Sequence, residues 1–78
     1  MTSSKIKKEI IKRLYENEVV ANRIQILGYD KENNRVKKII ISLDDIDTGS
    51  NVLYQVKEVL DQIDEEFNIS FIGRFIDF

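Results

Sequence analysis

The residues best suited to chemistry fall in one short run, Asp44-Asp45-Ile46-Asp47-Thr48-Gly49-Ser50. Neighbouring carboxylates can share a proton, divide the roles of nucleophile and acid–base group, or hold a divalent cation between their oxygens. No Cys and no His occurs anywhere in the chain. Thiol catalysis, disulfides, Cys/His zinc sites and histidine acid–base work are therefore excluded for this chain alone.

Three readings of the acidic run can be weighed. Asp47-Thr48-Gly49-Ser50 resembles the aspartic-protease signature, and Ile72-Gly73-Arg74 resembles the later apolar-Gly motif of the retroviral-type enzymes. That resemblance implies one Asp from each of two subunits. Only 26 residues separate Asp47 from Gly73, with no Gly-rich flap, and the chain's strongest helix pattern fills the interval of what should be a nearly all-β fold. Asp45-Ile46-Asp47-Thr48 resembles the phosphatase pattern Asp-x-Asp-x-Thr, which belongs to doubly wound domains far larger than this chain. A calcium loop starting at Asp45 would put Gly49 and Val56 where side-chain ligands are needed. The run reads instead as a solvated strand-to-helix junction, with Thr48 or Ser50 capping and Gly49 relieving the backbone. The expectation is no enzyme, no cofactor and no metal.

The surrounding elements follow from periodicity. Residues 5–16 predict a helix, with Ile6, Ile10 and Leu14 on one stripe, Ile11 and Tyr15 at the core edge, and Ser3 or Ser4 as cap. Residues 1–4 are expected to be disordered. Residues 18–29 and 36–43 predict a hairpin about the polar turn 30–34, in which Asn33 or Asn34 can take a left-handed conformation. Ile39, Ile41 and Leu43 share one face of the return strand, and Lys38, Ile40 and Ser42 the other. Leu53, Val56, Leu60, Ile63 and Phe67 form one apolar stripe of a second helix, widened by Val52 and Val59; Ser50 or Asn51 starts it and Asn68 stops it. Residues 69–78 predict a last strand, with Ile69, Phe71 and Phe75 facing inward and Ile72, Ile76 and Phe78 outward.

The expected fold is a single α+β domain over residues 1–78, order α-β-β-α-β, with two helices on one face of a three-stranded antiparallel or mixed sheet. In element order alone this is similar to the ring-building modules of secretion assemblies and, more loosely, to type II KH domains. The KH Gly-x-x-Gly loop is absent, because Gly28, Gly49 and Gly73 stand alone. No function is carried over.

Charge is laid out unevenly. Residues 1–43 hold ten Lys/Arg and five Asp/Glu; residues 44–78 hold two Lys/Arg and nine Asp/Glu. Glu58, Asp61 and Glu65 recur along one outward stripe of the second helix, with Asp64 and Glu66 crowding its C-terminal end, where the helix dipole disfavours acids by about 0.3–1 kcal/mol each. This contrary placement points to use. The expected function is a small protein-binding inhibitor or regulator. It presents Asp44, Asp45, Asp47, Glu58, Asp61, Asp64, Glu65 and Glu66 to a basic, nucleic-acid-binding protein, as virus- or mobile-element-encoded DNA mimics do as a class. The alternatives are direct nucleic-acid binding through Lys5, Lys8, Lys12 and Arg13, and a structural module assembling through its sheet.

Size and hydropathy bound the rest. Seventy-eight residues, 42% apolar and 33% charged, make an ordinary globular balance with little core to spare. Self-association would add core, and the outward residues Ile40, Ile72, Ile76 and Phe78 are expected to form a homodimer interface. The longest apolar run, Ile39-Ile40-Ile41, spans no membrane, and Met1-Thr-Ser-Ser-Lys leads into a charged helix and not an apolar signal segment. The expected location is cytoplasmic.

Overall fold

The computed structural model describes residues 1–43 and 50–77. The elements run α1 (Ser3–Glu16), β1 (Ala21–Asp30), β2 (Arg35–Leu43), α2 (Ser50–Phe67) and β3 (Ser70–Asp77). The fold class is α+β, in the expected order.

Local chemistry sets the helix ends. Thr2 caps α1, its Oγ1 accepting from the Lys5 amide at 3.2 Å. The cap therefore lies one residue before Ser3, and Ser3 and Ser4 belong to the helix. Both helices end with an amide that reaches back five residues across a left-handed residue. After α1, the Val19 amide reaches back to the Leu14 carbonyl (2.8 Å) and the Glu18 amide to that of Tyr15 (3.0 Å), with Glu18 left-handed at φ 63°. After α2, the Ile69 amide reaches the Asp64 carbonyl (3.2 Å) across Asn68, at φ 54°. In each case the residue past the turn, Val19 or Ile69, is buried and ties the helix end to the core.

The hairpin turn is held by Asp30. Its carboxylate accepts from the Glu32 and Asn33 amides and, at 2.7 Å, from the Asn33 side chain, while Asn34 takes the left-handed position at φ 52°. β2 is the central strand: β1 pairs with it antiparallel and β3 parallel. The parallel pairing needs a long crossover, and α2 supplies it.

Ile6, Ile10 and Leu14 of α1 and Val56, Val59, Leu60 and Ile63 of α2 meet Ile24, Val36, Ile39, Ile41, Leu43 and Phe71 of the sheet in one core. No polar side chain is buried among the described residues. The apolar stripe of α2 is centred differently from the expectation. Leu53 and Phe67 are exposed, while Val52 packs partly against the core and Val59 is buried. Tyr15, expected at the core edge, is 71% exposed, because the turn of α1 that carries Leu14 inward carries Tyr15 out.

One irregularity crosses the whole sheet. Besides a register shift between Ala21 and Arg23 in β1, Gly28, Lys37 and Ile72 are missing from the ladders, and Gly28 is left-handed at φ 65°. On either side of this line the strands keep their partners but change which face looks toward the helices. In β2, Val36 is buried before it, and Ile39, Ile41 and Leu43 after it. In β3, Phe71 is buried before it, whereas after it Phe75 stands exposed and Ile76 packs partly against the core. The expectation that Phe75 faces inward and Ile76 outward is thus reversed. Strict alternation fails where one residue per strand drops out of the pleat.

Candidate functional site

The acidic residues form no single cluster. Asp44, Asp45 and Asp47 lie outside the described residues, as does the turn expected to cap α2. Among the described residues no three Asp or Glu side chains converge into a metal-binding group.

The α2 acids divide by helical position. Glu66 faces α1, where the Arg13 guanidinium donates to it through Nη1. That hydrogen bond holds the Glu66 carboxyl below the usual carboxylate range and the Arg13 guanidinium above its own. Arg13 also donates from Nε to Glu9 at 3.0 Å and sits 5.7 Å from the Phe67 ring centre. Asp61 faces the other side, accepting from Nη1 of Arg74 on β3 at 2.7 Å. Arg74 lies 6.0 Å from the Phe71 ring centre. Two of the five described acids of the expected binding set therefore serve inside the fold, as does one of the four residues of the basic set, Arg13. Glu58, Asp64 and Glu65 make no ion pair among the described residues. Asp64 is half-buried, while Glu58 and Glu65 are exposed on the outward ridge of α2.

Tyr54, 66% exposed, stands on that same ridge one turn before Glu58. The sequence reading missed it. The signal was its spacing of four residues from Glu58, which puts both on one helix face.

On α1, Lys5, Lys8 and Lys12 are exposed and make no ion pair among the described residues. The two helices run side by side in opposite directions. Met1, Lys5, Lys8 and Glu9 share a recess with Phe67, while Glu9, Lys12, Arg13, Glu16 and Asn17 border Gln62 and Glu66. The start of α1 thus lies beside the end of α2. α1 has no acid in its first turn and α2 no base in its last. The acidic end of α2 receives a cation from Arg13, which lies in the last turn of α1.

Behind the helices, no described element covers the outer sheet face. It carries Leu27, half-buried Ile40 and Phe75, the last 52% exposed, with the Lys38 ammonium 4.7 Å from the Phe75 ring centre. Ile72, at the line where the faces invert, is 64% exposed. Of the four residues expected at a dimer interface, Ile40 and Ile72 are therefore accessible to some degree and Ile76 faces the helices. Phe78 lies outside the described residues. Phe75 takes the outward place that the sequence pattern gave to Ile76.

No helix among the described residues is long and apolar enough to cross a membrane. No protein-family model matches the chain, and no curated protein or solved structure matches it significantly.

Proposed function

We propose that this chain is a small non-catalytic protein-binding module of the cytoplasm, which meets a basic partner through the outward ridge of α2. The observation that carries the reading is the unpaired state of Glu58 and Glu65. Both are exposed, in line with exposed Tyr54, and neither is neutralised among the described residues, although Asp61 and Glu66 on the same helix are. Exposed carboxylates around an aromatic suit a cationic surface. The charges steer the encounter, and the ring supplies area that can be desolvated. The phosphate-binding face of a nucleic-acid-binding protein has that chemistry, and a module holding it would act as an inhibitor or regulator.

The ridge supplies charge rather than a replica of DNA. Glu58 and Glu65 are seven residues apart, about 10.5 Å along the helix, whereas a duplex carries one charge per about 1.7 Å. Full mimicry would need further acids, from residues 44–47 or from another subunit.

The test is retention of proteins from a lysate on the immobilised chain at low and high salt. A basic nucleic-acid-binding protein should be held at low salt, released at high salt, and lost from a Glu58→Lys, Glu65→Lys variant whose circular dichroism matches wild type. Retention that ignores both salt and the double reversal refutes the reading. Retained nucleic acid, lost on changing Lys8 and Lys12 to Glu, would transfer the function to α1.

A further inference from the structure

The outer surface of the helix layer carries two parallel stripes of opposite sign. Lys5, Lys8 and Lys12 line α1 and Glu58 and Glu65 line α2, all exposed and without ion-pair partners among the described residues. Each stripe has an exposed tyrosine, Tyr15 or Tyr54, and an exposed aliphatic neighbour, Ile11 or Leu53. The stripes are adjacent, yet they do not neutralise one another. Both project away from the sheet, and the seam between the helices is closed by Arg13 and Glu66 instead.

We propose that this surface is a self-complementary interface on which a second copy of the chain docks, about a two-fold axis running along the helices. Half a turn about such an axis lays α1 of each copy over α2 of the other. Every basic stripe then meets an acidic one, twice over, in a closed and isologous contact. The stripes overlap toward the α2 C-terminal end, where Lys5 and Lys8 share a recess with Phe67, and Lys12 borders Gln62 and Glu66. The partner subunit's Lys12 therefore falls nearest Glu65. Lys5 to Lys12 and Glu58 to Glu65 each span seven residues, about 10.5 Å.

The contact is small. Two helices about 10 Å across and about 25 Å long give an area of about 500 Å² per copy, against roughly 800 Å² per partner in a stable complex. The dimer is accordingly weak, dependent on concentration and governed by charge. It covers the ridge assigned above to a basic partner, so self-association and partner binding compete for the same carboxylates.

Sedimentation equilibrium across a concentration series tests this. Wild type should dimerise, and more weakly as salt rises. Lys8→Glu with Lys12→Glu should weaken association by about a hundredfold, and so should Glu58→Lys with Glu65→Lys, since each pair of changes turns four attractions in the dimer into repulsions. Mixing the two variants should restore a heterodimer, and all four changes in one chain should restore a homodimer. Lys8→Glu and Glu65→Lys agree in sign with the dipoles of their helices, and circular dichroism of each variant checks that the helices are kept. A wild type that stays monomeric at high micromolar concentration overturns the proposal. So does a mixture that fails to associate, or a dimer that survives both helix variants and is lost with Ile72→Lys and Phe75→Lys. If dimerisation fails while a basic protein is still held through Glu58 and Glu65, the proposed function stands alone. If the heterodimer is restored and no other protein is held, only the self-association stands.

Discussion

Replacing Gly28 by Ala probes the line at which the sheet inverts its faces. Gly28 has φ 65°, and an added Cβ would lie 2.7 Å from Cβ of Lys37. The left-handed conformation costs an alanine about 1–2 kcal/mol. Two carbons prefer about 3.5–4.0 Å, so the strands must also separate, at an over-packing cost of about 1–3 kcal/mol. The sum, about 2–5 kcal/mol, is a large part of the roughly 4–12 kcal/mol expected for a chain of this size. At roughly 4–8 °C per kcal/mol, the melting temperature should fall by at least about 8 °C. Urea unfolding followed by circular dichroism measures the loss. Lys37→Gly removes the colliding carbon, so in the double variant the contact part should be recovered while the backbone part remains, a coupling of about 1–3 kcal/mol. A Gly28→Ala loss below about 0.5 kcal/mol, or strictly additive changes, would refute the account of the inversion.

Two further outcomes follow from the same structure. Phe71→Ala should cost about 3–5 kcal/mol and Phe75→Ala less than about 1 kcal/mol, because only Phe71 is in the core; equal or reversed losses in urea unfolding would put the inversion in the wrong place. The second concerns Glu66, whose carboxyl the hydrogen bond from Arg13 holds low. A lowered folded value gives stability that is present above the unfolded pKa of about 4.3 and is lost as pH falls through the folded one. Arg13→Ala should therefore move the Glu66 carboxyl resonance titration up toward the ordinary value and flatten this part of the acid loss of stability; an unmoved titration would show that the ion pair does not form in solution.

Local signals carried most of the fold. Ile6, Ile10 and Leu14 recur at a helical spacing, and all three are buried. Asn34 and Asn68 belong to the few residue types that tolerate left-handed φ, so turn and helix stop were legible where they occur. The charge asymmetry between the halves was also plain, because it is a property of composition.

What the sequence could not reveal is set by contacts between distant segments. Whether β3 runs parallel or antiparallel to β2 depends on where α2 returns the chain. The face reversal of Phe75 and Ile76 arises at Gly28, more than forty residues earlier, and reaches β3 through the pleat of β2. A period-two pattern read along one strand carries no information about a neighbour's irregularity. The same holds for the acids. Glu58, Asp61, Glu65 and Glu66 look alike as a helical pattern, and only packing brought Arg13 to Glu66 and Arg74 to Asp61. The sequence alone determined the amphipathic helices, the hairpin turn and the two charged halves, because each depends on residues within a few positions of one another. The tertiary structure decided which carboxylates are free, since ion pairing depends on distances that only the folded sheet and its two helices fix.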